Sequence, residues 1–370
     1  MAIRATYAEI QSTASQAGSP QLVKLEDFSG LRVLCWNGTA LYASRGYSLL
    51  KLEIPGEGVD FIWQTAGTYR PGFRNRLTAS TSLTSRLFRH GFHALTALSS
   101  GHMVGAVPGR IVTLAPGETQ FRVTHKLLRG TRPLHIAVAP NDRLVWGEYF
   151  NNPQRAEVYI YGSTDQGNHW DVGYVFPQGK IRHVHNIVFD RWENCYWILT
   201  GDDDRESLIL RATLDLAQVE IVFSATQQTR AAALIPTRDA VYWASDTPSE
   251  ANHIYRLDRK GTLTTVAGVA GPSIYGCRVG DSIFFSTMVE PSHIDRERRM
   301  FLYGSADGHI WKSLSQWKKD VWPMKLFQYG NVFLPDGINS THVLAATAVA
   351  VENAGLITSL FRVTAPVRPQ

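Results

Sequence analysis

Pairs of short apolar strands joined by tight polar turns recur along this chain at intervals of roughly 40–60 residues, and that repetition restricts the fold more than any other feature. The signal is cleanest in the middle. HIAVAPNDRLVWGEYF (135–150) and EVYIYGSTDQGNHWDVGYVF (157–176) each read as strand, turn, strand. The same unit returns at 185–202 and 207–223, at 233–246 and 253–268, and at 273–288 and 300–313. Segments 31–54 and 94–114 add two units on one side, and 341–363 adds one on the other. Taking the second strand of each copy as a marker, Leu41, Met103, Leu144, Tyr196, Val241, Ile283 and Val343 lie 62, 41, 52, 45, 42 and 60 residues apart.

Four strands per repeat and seven repeats predict an all-β, seven-bladed β-propeller with four-stranded antiparallel blades. Closing such sheets around an axis buries both faces of each blade and removes most free edges. Separate β-sandwiches are the alternative, but they do not require strand pairs to recur at blade length. The expected layout is an N-terminal extension over 1–28 and one propeller over 29–366. Insertions near 67–92 and 314–340 would account for the two long intervals. Segment 76–93 of the first is a basic stretch with Arg86, Arg89 and His90.

Composition agrees with an ordered, strand-rich body: 44% of residues are hydrophobic and 19% charged, and the 30 glycines and 17 prolines are dispersed as turn residues would be. Lys and Arg number 37 against 32 Asp and Glu, a net +5 that would steer an anionic partner. The chain has no basic run, zinc-finger spacing or RNA-reading aromatic motif, so the expectation is no nucleic acid. No apolar run reaches the roughly 18 residues of a membrane span. The first twenty residues lack the apolar stretch of about 7–15 residues of a signal peptide. The chain as written therefore reads as cytoplasmic, or as secreted or periplasmic if an export signal has been removed. Cys35, Cys195 and Cys277 are odd in number and sit in apolar strands, which predicts buried free thiols.

One turn carries a specific pattern. Ser163-Thr164-Asp165-Gln166-Gly167-Asn168-His169-Trp170 is Ser-x-Asp-x-Gly-x-x-Trp between two strands, and Ser305 to Trp311 is the same pattern one residue shorter. Asp accepts backbone hydrogen bonds within the turn, Gly permits a positive φ, and Trp packs beneath. Thr213-Leu214-Asp215 and Leu257 to Gly261 occupy the equivalent turns of other repeats. The motif resembles the Asp-box, or bacterial neuraminidase repeat, of the sialidase-like propeller superfamily. That resemblance implies the propeller fold and a carbohydrate-directed protein. An Arg-Ile-Pro segment of the kind sialidases carry is absent. Propeller polysaccharide lyases, including those cleaving at rhamnosyl-glucuronate linkages, are a comparable branch in which a His or Tyr performs the proton chemistry.

In a four-stranded blade, the segment leading into the first strand and the loop joining the second and third strands open on one face. The Ser-x-Asp turns join third and fourth strands and fall on the other. The first face collects His93, His135, His183, His185, Gln227, Gln228, Arg230, Tyr275 and His342 before first strands. After second strands it collects Arg45, Glu148, Tyr149, Asp202, Asp203, Asp204, Asp246 and Glu290. In Arg182-His183-Val184-His185-Asn186 the two histidines share one side of a strand, placed to move a proton or hold a metal.

These residues predict a carbohydrate-active enzyme for an anionic or uronate-containing oligosaccharide or polysaccharide. In a lyase, Arg230 or a metal would neutralise the uronate carboxylate, His185 or His183 would be the base, and Tyr149 or Tyr275 the acid. In a hydrolase, two carboxylates among Glu148, Asp202 and Asp246 would divide the acid and base roles. Gln227, Arg45 and His135 are the further substrate-binding candidates. A noncatalytic glycan-binding propeller is the alternative class. The sequence requires no cofactor, but carboxylates beside histidines admit a divalent metal: Ca²⁺ favours oxygen ligands, whereas Mn²⁺ or Zn²⁺ recruits histidine.

Overall fold

The computed structural model describes residues 18–54, 60–71, 91–290, 292–294, 298–324, 329–352 and 354–364. The segment with Arg86, Arg89 and His90 lies outside the described residues. Seven antiparallel blades form a closed propeller with almost no helix; two short 3-10 turns occupy Asp204–Glu206 and Gln227–Thr229. No helix is long and apolar enough to cross a membrane among the described residues.

Blade 1 is β2 (Arg32–Gly38), β3 (Ala40–Arg45), β4 (Ser48–Glu53) and β5 (Gln64–Thr68), following β1 (Gln21–Ser29). Blade 2 runs from β6 (Ala94–Ala97) through β7 (Met103–Val107) and β8 (Arg110–Leu114) to β9 (Arg122–Lys126). Blade 3 contains β10 (Ala137–Ala139), β11 (Arg143–Gly147), β12 (Val158–Ser163) and β13 (Asp171–Phe176). Blade 4 contains β14 (His183–Asp190), β15 (Cys195–Gly201), β16 (Ile209–Ala212) and β17 (Val219–Phe223). In blade 5 these places are taken by β18 (Ala231–Pro236), β19 (Ala240–Ser245), β20 (Asn252–Asp258) and β21 (Leu263–Val269). Blade 6 has β22 (Tyr275–Val279), β23 (Ser282–Ser286), β24 (Arg299–Ser305) and β25 (Lys312–Lys318).

The two ends of the chain meet in blade 7. Its strands are β26 (Asn331–Phe333), β28 (Val343–Val351), β29 (Gly355–Thr364) and, outermost, β1, which pairs antiparallel with β29. Residues 21–28 are therefore not an extension: they supply the edge strand that 341–363 cannot make for itself. The region near 314–340 is likewise not only an insertion. It supplies most of β25 and all of β26, and β27 (Asp336–Asn339) runs parallel to β2 as a fifth strand on its inner side. Gly337 (φ +87°) is needed there, since a Cβ would sit 2.2 Å from the Trp36 carbonyl oxygen.

Seven buried clusters occupy the seven interfaces between neighbouring blades. Strand alternation produces them: Cys195, Trp197 and Leu199 pack toward blade 5, while Tyr196 and Ile198 pack toward blade 3. Second strands are covered on both faces, so β15, β19 and β23 are buried throughout and read as near-continuous apolar runs. Outer strands such as β25 (KSLSQWK) are largely exposed and polar. All three cysteines are buried and free.

The turns of the far face act as staples. Asp165 Oδ1 accepts from the Asn168 and His169 backbone amides at 3.1 and 3.0 Å, and Trp170 Nε1 donates to Gly167 O at 3.0 Å. Asp307 and Trp311 repeat the scheme. Asp215 and Asp258 accept backbone amides in the equivalent turns of blades 4 and 5.

A buried ion pair ties blades 4 and 5 on this face. Asp190, fully buried, accepts from Arg259 Nη1 at 2.6 Å, from Trp197 Nε1 at 3.1 Å and from the Trp192 amide at 2.9 Å. Removing that carboxylate strands the Trp197 indole donor and leaves the Arg259 guanidinium only Glu193 and the Thr237 carbonyl. Asp190→Ala is therefore expected to lower unfolding stability by about 3–5 kcal/mol, read from urea melts followed by Trp fluorescence.

Candidate functional site

The opposite face gathers side chains from blades 3 to 6. His183 opens β14, and a register shift between Val184 and Asn186 places His185 in a bulge that turns its ring toward His183. Their Nε2 atoms stand 3.1 Å apart. Asp202, directly after β15, brings Oδ1 to 3.3 Å from His185 Nε2 and 3.5 Å from His183 Nε2. A cis peptide joins Gly201 to Asp202. Gly201 is required by the ring beside it, because a Cβ there would lie 2.4 Å from His185 Cε1.

Each member is held by a separate element. His183 Nδ1 bonds to Phe150 O and His185 Nδ1 to Ala231 O, both at 3.0 Å. Arg182 Nη1 donates to Asp202 Oδ2 at 3.1 Å. Gln227 Nε2 donates to Asp202 O at 3.0 Å and to Asp204 Oδ1 at 2.8 Å, while its Oε1 accepts from Thr247. Gln227 thus positions the Asp202 backbone, where the sequence pointed to substrate binding. The histidines are 5% and 4% exposed, so Asp202, with a side chain 25% exposed, forms the accessible edge.

Arg230 enters from the segment before β18. Its Nη2 lies 3.5 Å from Asp202 Oδ1 and its Nε 3.5 Å from Asp246 Oδ2, and the buried Nε makes no hydrogen bond. Tyr149 covers the pair, its ring centroid 4.3 Å from that of His183 and 6.2 Å from that of His185.

Burial sets the titration of the group. It acts to raise the Asp202 carboxyl, but contacts with His183 and His185 overcome it and hold the group well below the usual carboxylate range. Burial lowers His185 against the opposing pull of Asp202. The Asp246 carboxyl is pushed up to about 7 by burial, which Arg230 only partly offsets. Glu290 is raised by burial in the same field.

The remaining candidates separate. Glu148 is buried, with both carboxylate oxygens taken: Arg129 Nε donates to Oε1 at 3.1 Å and the Tyr159 amide to Oε2 at 2.9 Å, with Arg129 Nη2 also on Oε2. It anchors a loop and is not a free acid. Arg45 is exposed at the β3–β4 turn of blade 1, whereas the histidine pair belongs to blade 4. Tyr275 and His135 belong to a second constellation, with ring centroids 6.0 Å apart. His135 Nδ1 meets Asp336 Oδ2 at 2.9 Å, and Arg32 couples electrostatically to Tyr275 while its guanidinium stacks 4.0 Å from the Phe333 centroid. Arg32 Nη1 also meets His93 Nδ1 at 3.1 Å. Arg32 and Asp336 escaped the sequence reading, although Arg32 opens the first strand of its blade as His183 and Tyr275 do.

No family model matches the chain, and no curated protein matches it. Solved structures share the fold. One titled as the mitotic checkpoint complex superposes with a TM-score of 0.55 at 8% identity, covering 97% of this chain and 98% of that one. The WD40 propeller of Doa1 gives 0.53 at 9% identity over 93% and 96%. The GH74 enzyme of Niastella koreensis gives 0.53 at 14% identity, covering 80% of this chain and 47% of that chain.

The raised Asp246 has a measurable consequence. Its folded state binds a proton more tightly than the unfolded chain, so its stabilising contribution is full below the ordinary carboxylate range near pH 4. That contribution disappears as pH rises through about 7. Relative to Asp246→Asn, the natural chain is expected to lose stability between those limits, by an amount on the order of 4 kcal/mol, in urea melts taken across the range. Parallel pH profiles for the two proteins would contradict the assignment.

Proposed function

We propose that this chain is a carbohydrate-active enzyme that binds an anionic, uronate-containing saccharide on the histidine-bearing face and cleaves it by β-elimination. The observation that carries the reading is Arg230. Its guanidinium is 14% exposed, its Nε donates to nothing, and its two neighbouring carboxylates stay at 3.5 Å, longer than a charge-assisted hydrogen bond. Such a group accepts a carboxylate in bidentate fashion with little rearrangement. The paired Ser-x-Asp turns and the GH74 neighbour support a carbohydrate-directed propeller, and the net positive charge favours an acidic ligand.

In the proposed reaction Arg230 draws charge from the uronate carboxylate, which acidifies the adjacent ring C–H. A base takes that proton, the neighbouring C–O bond of the glycosidic link breaks, a C=C bond forms, and the departing oxygen takes a proton. No water is consumed. Tyr149 is the proton-transfer group in this reading, since it is half-buried, lies over the histidine pair and couples electrostatically to Arg230. His183 and His185, first read as alternative bases, are nearly buried and tied through Nδ1 to backbone carbonyls, and so orient the site in this reading.

One observation favours a second reading. Asp202 and Asp246, on two sides of one arginine, are moved in opposite directions, which is how a hydrolase separates its base from its acid.

A panel of acidic and neutral oligosaccharides, followed by mass spectrometry and near-ultraviolet absorbance, separates these outcomes. Elimination is expected to yield an unsaturated sugar with no added water. Arg230→Gln and Tyr149→Phe are each expected to lower kcat/KM by about 100-fold. Products carrying one added water would establish the hydrolase, and binding without turnover would establish a glycan-binding propeller. Full turnover by Arg230→Gln would overturn the assignment.

A further inference from the structure

We propose that His183 Nε2, His185 Nε2 and Asp202 Oδ1 are three ligands of a divalent transition-metal site, zinc by preference, with a fourth position left for water or a substrate oxygen. The use of such a metal in turnover rests on the reading above; its binding does not.

The argument begins with proton accounting. Phe150 O and Ala231 O are backbone carbonyls and can only accept, so the hydrogen bonds at His183 Nδ1 and His185 Nδ1 place the ring proton on each Nδ1. In its neutral form each ring then presents a lone pair at Nε2. Those two lone pairs face one another at 3.1 Å, with a carboxylate oxygen at 3.3 and 3.5 Å. Three electron-rich atoms held this close in a buried place repel one another unless a positive centre lies among them.

The dimensions fit a metal. Ligands about 2.0–2.1 Å from a tetrahedral zinc lie roughly 3.3 Å from each other, and the three observed edges bracket that value. Octahedral geometry would bring neighbouring ligands closer, to roughly 2.9 Å. Two histidines and one carboxylate with an open position is also a ligand set of catalytic rather than structural zinc.

The surrounding groups are those that orient ligands. Metal-bound histidines commonly donate the other N–H to a carbonyl, and ligating carboxylates are themselves hydrogen-bonded. Here the carbonyls come from blade 3 and blade 5, and Arg182 takes Asp202 Oδ2, leaving Oδ1 for the histidines. A cation at this place would supply a Lewis acid beside Arg230.

At His183, His185 and Asp202 the nearest arginines are Arg182, which bonds Asp202 Oδ2, and Arg230, which stays 3.5 Å from Oδ1. The second grouping of potential ligands, Asp190, Glu193 and Cys195, is more fully neutralised. Arg259 already bonds both Asp190 oxygens and lies 3.2 Å from Glu193, so a cation is present in the fold itself.

The test uses the untagged full chain, stripped of metal, with Zn²⁺ added in a calorimeter and Co²⁺ followed by its visible absorption. One Zn²⁺ per chain is expected, and Co²⁺ is expected to give the intense bands of a four- or five-coordinate site. Asp202→Asn and His183→Gln are each expected to weaken binding by at least about 100-fold. Gly201→Ala, which presses on the His185 ring without removing a ligand, is expected to weaken it too. Asp202→Asn changes the most exposed member and keeps its shape, so it tests the site even where a histidine variant does not fold. Absence of stoichiometric binding by the natural chain would overturn the proposal, whatever the saccharide assays show. So would undiminished affinity in folded Asp202→Asn, or nitrogen-15 spectra in which a proton bridging the two Nε2 atoms persists in excess Zn²⁺.

Discussion

Blade-against-blade packing is the interaction on which everything else in this propeller depends. A four-stranded sheet with two apolar faces is insoluble alone, and each face here finds cover only in the next blade. The ring must therefore close. Leu41, Leu144, Tyr196 and Phe284 are fully buried because a neighbouring sheet lies over them, and burial of such side chains contributes about 1.5–3 kcal/mol each. Closure is completed by β1 on β29, so the two ends of the described chain are hydrogen-bonded to each other across 331–364 and 21–29.

That closure also decides where chemistry can occur. Every first strand begins, and every second strand ends, on one face near the axis. Residues distant in sequence but equivalent in their blades are thereby brought together. Asp202 follows the second strand of blade 4, Arg230 precedes the first strand of blade 5, and Asp246 follows its second strand; the two carboxylates meet at the Arg230 guanidinium. The far face holds the Ser-x-Asp turns and the Asp190–Arg259 pair, in which the Asp190 oxygens accept from Arg259, Trp197 and a backbone amide. The first face holds the histidine pair and Arg230. Arg230 Nε lacks an acceptor, and the two Nε2 atoms stand 3.1 Å apart.

Much of this was legible before any coordinates. The marker residues from Leu41 to Val343 all fall in second strands, because a strand covered on both faces must be apolar throughout and so announces itself. The Ser163–Trp170 turn announced its own hydrogen bonds, since Asp and Gly act there through the local backbone. His183 and His185 were readable as a pair from the period of a strand. Arg32 and Asp336 were not, because their partners, Tyr275 and His135, are more than sixty residues away.

Sequence by itself determined the seven-bladed architecture, the face that carries the candidate site and most of the residues gathered there. These follow from local periodicity and strand order, which need no distant contact. Tertiary structure decided which of those residues act on one another. It tied Glu148 to Arg129, Gln227 to the Asp202 backbone and β1 to β29, and it turned the rings of His183 and His185 toward a single carboxylate oxygen. Hydrogen-bond partners and ångström separations between blades depend on how the sheets twist and settle around the axis, and no one repeat encodes that geometry.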